Sequence, residues 1–223
     1  MKKLLFTVLL VTFANGCNNY DLLEKIQNPG GKTEQFTTNN YIFVSSWLMQ
    51  GDLSYTPFPE CNGMTGTPAA DCSCTRAAAA NGLRKGPSHQ FIAVLSTGSP
   101  SIYDALCKIQ NLPQGGCAAT DPNPWYNTAG ETVAPNLVSL FGAANPIAIR
   151  YSENKSEPGT NLAWTGSTTG GTNSGSNCNN WASTSNIVQA SGGNRHGLNG
   201  QWLSDGSSMN CDTTQRVYCA GRL

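Results

Sequence analysis

Apolar positions fall into short runs separated by long polar stretches. The first run, Leu4 to Ala14 (LLFTVLLVTFA), follows the positive start Met1-Lys2-Lys3. Eleven residues are too few to span a bilayer as a mature helix, and the layout is that of a signal peptide. Residues 18–40 are polar around Asn28-Pro29-Gly30-Gly31 and read as a tether. Ile42-Phe43-Val44 starts a strand, so the globular domain begins near Tyr41. Pro57, Pro59 and Pro68 break regular structure between 53 and 71, which reads as loop. Cys74 to Asn81 (CTRAAAAN) predicts a short helix on alanine propensity, closed by Asn81-Gly82. Phe91 to Leu95 has strand length. Ser101 to Ile109 predicts a second helix, with Ser101 as N-cap and Asp104 as a weak capping-box partner. Pro146 to Tyr151, Leu162 to Thr165 and finally Arg216 to Cys219 predict strands. No internal repeat is present. Two short helices early and strands with a long irregular region late give an α+β class.

Composition changes the picture in one place. Of the 36 residues from 165 to 200, 26 are Gly, Ser, Thr or Asn, which by itself describes a flexible linker. The stretch nevertheless carries Cys178 and Trp181, residue types that linkers seldom hold. Charge excludes a function class. Lysine and arginine number 13 against 13 acids, and without the first sixteen residues the balance is 11 to 13. Nucleic acid needs a basic face, and none is present. No phosphate-cradling glycine loop followed by lysine occurs, and no cofactor is expected.

Ala14-Asn15-Gly16 leads to Cys17, and this stretch resembles the bacterial lipoprotein signal. Ala14 stands where that signal most often has Leu. The resemblance implies cleavage before Cys17, which becomes the lipidated N-terminus and ties the chain to a membrane. Asn18 rather than Asp then implies the outer membrane or cell surface. The alternative is an ordinary signal peptide cut near Gly16. The organisation is a signal peptide over 1–16, a lipidated tether over 17–40 and a domain over 41–223. Export means an oxidising compartment, where cysteines pair. Nine cysteines are an odd number, and lipidating Cys17 leaves eight for four bridges. Zinc is the rival use of Cys61 and Cys72-Ser73-Cys74. With only His89 and His196 available and no Cys-x-x-Cys pair, disulfides are favoured over metal.

Trp164, Cys178, Trp181, Trp202, Cys211 and Tyr218-Cys219 form a spaced set, with Cys74 on the early helix. This set resembles the C-type-lectin-like fold. The resemblance implies two short helices, small antiparallel sheets and a long disulfide-stapled loop region. It further implies the bridges Cys74–Cys219 and Cys178–Cys211, leaving Cys61–Cys72 and Cys107–Cys117. The swap of Cys72 and Cys74 between their partners stays open. More narrowly, "YIFVSS", the Ala-rich cysteine helix, "AWTGSTTGGT", "NCNNWAS" and "RVYC" resemble the Leptospira-type lipoproteins carrying a lectin-like domain of unknown function. The likeness covers roughly 41–223 and the lipoprotein start. It implies that 165–210 is an ordered face rather than a tether; Trp164 and Trp202 are expected in the core, with an exposed binding platform as the alternative.

Calcium-dependent lectins carry Glu-Pro-Asn or Gln-Pro-Asp in the long loop and Trp-Asn-Asp before the third cysteine. Here Glu157-Pro158-Gly159 comes too early, Trp202-Leu203-Ser204-Asp205 replaces the second motif, and Asp205 and Asp212 are the only acids after 160. Hard calcium needs more carboxylate oxygens, so no such site is expected. Ser191, His196 and Asp205 make an imaginable triad that a serine-rich chain produces by coincidence, so no enzyme is expected. The large side chains of the loop face are Arg195, His196 and Trp181, the candidate binding residues. A bland alternative has Arg195 and His196 as a solvated pair and Trp181 packed under the loop. The reading is a surface-anchored, non-catalytic binding module for host or envelope proteins. A calcium-independent carbohydrate binder and a structural envelope protein are the alternatives.

Overall fold

The last strand organises the molecule. In the computed structural model, which describes residues 39–84, 89–98, 104–112, 117–142, 145 and 147–221, Arg216–Gly221 (β8) is buried at every position. Its one edge pairs antiparallel with Asn40–Val44 (β1), Val44 facing Tyr218. The other edge takes Leu162–Trp164 (β5) in parallel and Phe91–Ala93 (β2) antiparallel. Beyond β1 lie Trp125–Tyr126 (β3), which is parallel to it, and Thr132–Ala134 (β4). Beyond β5 lie Gln189–Asn194 (β6) and Ser208–Asn210 (β7). The class is α+β and the eight-stranded sheet is mixed, which corrects the expectation of small antiparallel sheets. The signal peptide, Cys17, the tether up to residue 38 and Ser101 lie outside the described residues.

Alternation in β1 and β8 divides the core between the two faces of the sheet. Phe43, Val217 and Cys219 join one cluster with Met49, Trp164 and Trp181. Ile42, Val44, Tyr218 and Ala220 join the other with Trp125, Leu140 and Trp202. A strand covered on both faces reads as a continuous apolar run, as Val217 to Ala220 does here.

The first cluster is roofed by Gly66–Ala80 (α1), which starts eight residues earlier than its alanine run predicts. Pro68 lies in the first turn, where its missing N–H has no helical partner to lose, so the loop expected up to 71 ends at Thr65. Ala69, Ala70, Ser73, Cys74, Ala77 and Ala78 make one buried stripe of small residues, which lets the helix lie close on the sheet. Asn81 caps its end, and Gly82 follows with φ +69, a conformation that glycine adopts without a side-chain clash. Asp71 ties the helix across the fold by accepting from Ala93 N at 2.7 Å and Lys108 Nζ at 2.7 Å.

The second helix is Ala105–Gln110 (α2), shorter than predicted. Asp104 is its N-cap residue but makes no side-chain cap bond, and its carboxylate accepts from Asn173 N instead. Leu137–Phe141 (α3) was not foreseen; Asn136 caps it by accepting from Ser139 N. Of the strand predicted over 146–151, the described residues 147–151 are not in a strand, and β3 pairs with β1 only at Asn40 and Tyr41. Only the bond from Val44 N to Tyr151 O remains of it.

Eight cysteines lie in four pairs at disulfide distance: Cys61–Cys72, Cys74–Cys219, Cys107–Cys117 and Cys178–Cys211. Cys72 sits with Cys61 and Cys74 with Cys219, so the swapped arrangement is not the one present.

Candidate functional site

The Gly-, Asn-, Ser- and Thr-rich segment has a defined path from 165 to 210, and its composition is the reason. Short polar side chains accept the backbone N–H two residues ahead: Asn173 from Gly175, Ser174 from Ser176, Ser183 from Ser185, Ser185 from Ile187, Asn194 from His196 and Asp205 from Ser207. Each bond fixes a turn where no apolar core is at hand. The Cys178–Cys211 bridge then joins the segment to the end of β7. Gly193 lets β6 pass the Trp202 carbonyl, with which any Cβ would overlap.

"NCNNWAS" is a left-handed helical turn. Cys178, Asn179, Asn180 and Trp181 have φ of 52, 54, 60 and 60°, and Trp181 N and Ala182 N donate to Asn177 O and Cys178 O. Left-handed backbone costs roughly 1–2 kcal/mol per residue, with asparagine the most tolerant after glycine. Asn177 accepts from Asn180 N, and Asn180 accepts from Gly98 N, which holds the turn to its neighbours. The turn drives Trp181 inward, against Trp164 at 6.1 Å, where its Nε1 donates to Ser96 O at 2.9 Å. Trp181 is 1% exposed, so it is a core residue and not a binding anchor.

Trp181 thus lies where the alternative reading put it, under the loop, whereas the exposure expected of Arg195 is corrected. Arg195 is 5% exposed, and neither a solvated surface residue nor an available anchor. Its Nε donates to Thr160 O and its Nη1 to Arg150 O, both at 3.0 Å, with Glu157 at 3.6 Å. Glu157 is shared with Arg150, which also faces Glu131. Arg195→Ala therefore leaves two carbonyls and a carboxylate short of a charged donor. We expect a stability loss of about 2–3 kcal/mol, read as a lower urea midpoint. An unchanged midpoint would show that the guanidinium makes no net contribution. His196 alone of the three candidates is exposed. Partial burial, and next the adjacent Arg195 charge, hold its pKa below the usual histidine value, so it presents a neutral ring near neutral pH.

Two members of the imaginable triad of Ser191, His196 and Asp205 are hydrogen-bonded to other residues. Ser191 Oγ donates to Ser174 Oγ, and Asp205 accepts from Ser207 N. Among the described residues, no group of three His, Cys, Asp or Glu side chains is placed to hold a metal ion.

Sequence reasoning missed a hollow of about 480 Å³ beside the start of β8. A bridge between Met49 and Gln215 lays residues 46–50 alongside 214–216. Trp47, Leu48 and Tyr55, the last of them 62% exposed, line the hollow. Gln50, Thr214 and Arg216 supply polar groups. No local signal marks the site, because its two halves lie at opposite ends of the domain. A smaller hollow of about 300 Å³ lies between α1 and β2. Its Asp71 is already engaged by Ala93 and Lys108.

No family model matches the chain, and no curated protein is significantly similar to it.

Proposed function

We propose that this chain is a surface-anchored bacterial lipoprotein of the Leptospira type. Its C-type-lectin-like domain acts as a non-catalytic binding module for a host or envelope protein. Two features support the lectin-like reading: the antiparallel pairing of first and last strands, and the bridge from α1 to β8. Lipid on Cys17 would tether the domain to the outer membrane or cell surface. The observation that carries the binding role is the locked shape of 165–210. A polar loop face fixed in advance by its own hydrogen bonds and a bridge loses little entropy on docking.

With Trp181 and Arg195 withdrawn as anchors, the exposed large groups of this face are Ile187, His196 and Leu198. Ile187 is 87% exposed and stands on the turn made by Ser183 and Ser185. The test is capture of serum, matrix and envelope proteins by the parent chain and by Ile187→Asp. Ile187 makes no contact that the fold needs, so the variant should unfold at the parent's urea concentration. Partner binding should weaken by upward of about 1–2 kcal/mol. Undiminished capture by Ile187→Asp would remove this face as the docking surface.

A further inference from the structure

Arg216 is 7% exposed, yet its hydrogen bonding is incomplete. Nε donates to Thr160 Oγ1 at 2.8 Å, and Nη1 donates to Ser45 O and Ser46 O. Among the described residues Nη2 has no hydrogen-bond partner, and it is not one of the enclosed unsatisfied atoms, so it keeps some access to solvent. The residue lines the 480 Å³ hollow, and that hollow is where its free edge can find an acceptor. Glu153, the nearby acid, has its oxygens taken by Ser46 N and Ser46 Oγ and makes no ion pair with Arg216. Arginine stays charged even when burial lowers its pKa, as it does here. A buried guanidinium edge facing a hollow favours a carboxylate, through a charge-assisted hydrogen bond.

Among the described residues, two further polar groups of the hollow have no hydrogen-bond partner. Gln50 Nε2 donates to Asp212 O at 3.2 Å, which orients the amide and leaves Oε1 unpaired. Thr214 is exposed and its hydroxyl makes no bond. The walls are aromatic and held from behind. Trp47 meets Phe58 edge-on at 5.6 Å, and the loop carrying Tyr55 is pinned by Thr56 to Ser73 at 2.7 Å and by the Cys61–Cys72 bridge. An exposed tyrosine face accepts a flat apolar surface. Gln50 Oε1 and Thr214 suit hydroxyls that donate and accept. A volume of about 480 Å³ takes a sugar ring with its substituents.

We propose that this hollow binds an acidic saccharide, with a hexuronate ring on Tyr55, its carboxylate on Arg216 Nη2 and its hydroxyls on Gln50 and Thr214. The site lies outside 165–210 and does not rest on the docking face proposed above, so Ile187→Asp leaves it intact.

The test is calorimetric titration of the full-length chain with a hyaluronan tetrasaccharide, which carries carboxylates and no sulfate. The same oligosaccharide with its carboxyls reduced and an acidic tetrapeptide are run beside it. We expect saturable binding of the tetrasaccharide with a dissociation constant below about 1 mM. Carboxyl reduction and Tyr55→Ala should each weaken it about tenfold, the latter with an unchanged urea midpoint. Arg216→Lys should also weaken it, but Arg216 is built into the fold, so Tyr55→Ala decides if that variant fails to fold. Absence of saturable binding would overturn the proposal. Equal binding of the reduced sugar, or full binding by Tyr55→Ala, would do the same. Preference for the tetrapeptide would reassign the hollow to a protein partner.

Discussion

Replacing both Cys74 and Cys219 by alanine is expected to lower stability by about 5 kcal/mol, the largest loss of any single bridge. The bridge closes 145 residues, against 33 for Cys178–Cys211 and 11 for Cys61–Cys72. Loop-closure entropy gives about 4 kcal/mol for the second and about 3 kcal/mol for the third. Both Cys74 and Cys219 are fully buried where α1 meets β8, so the link also fixes the helix on the central strand. Domains of this size hold roughly 5–15 kcal/mol in all, so the double variant should sit near the edge of folding. Urea titration followed by tryptophan fluorescence should rank the three double variants in order of loop length. If removal of Cys61–Cys72 proves as damaging as removal of Cys74–Cys219, restraint of the open chain is not what these bridges supply.

Trp202→Ala should be the most damaging single replacement in the second core cluster, at about 3–5 kcal/mol. The indole is fully enclosed, meets Phe141 edge-on at 5.4 Å and Tyr218 at 5.2 Å, and donates from Nε1 to Leu140 O at 2.9 Å. It thus joins α3 and β8 to the loop that follows β6. Truncation opens a cavity among rings that have no room to move inward, and it orphans the Leu140 carbonyl. Trp202→Phe keeps most of the volume and loses only the bond, so it should lose about 1–2 kcal/mol. Calorimetry on both variants separates the two contributions. A loss below about 1 kcal/mol for the alanine variant would mean that the cluster closes over the gap.

The parts of the fold that were legible in the sequence are those whose burial leaves a local pattern. β1, β5 and β8 show apolar runs because both faces of the sheet are covered, and the alanine run of α1 declares a helix. The start of α1 did not show, because Thr65-Gly66-Thr67-Pro68 is turn chemistry that packing overrides. β6 reads QASGGN, with no alternation; it is a strand because β5 and β7 hold its edges. The candidate site failed for a related reason. Polar, glycine-rich neighbours made Arg195 look outward and left Trp181 open between anchor and core, while the Thr160 and Arg150 carbonyls and a left-handed turn take both inward. Only His196 kept its expected exposure. The hollow at Arg216 arises from the pairing of distant segments and has no signature within either of them.

The central strand is also made after every strand that pairs with it. Until residues 216–221 arrive, β1, β2 and β5 have no common neighbour, however early they emerge. Cys61 and Cys72 are close enough to oxidise at once, but Cys74 must wait, a single residue away from Cys72, for a partner 145 residues downstream. During that wait its thiol competes for Cys61. Correct maturation therefore depends on timing: slow oxidation, or an isomerase that reopens early mistakes, favours the native set. A chain that stops at residue 210 is not a smaller domain. It holds the outer layers of a sheet whose middle never comes, with Cys74 and Cys178 both left without partners and both tryptophan clusters left uncovered.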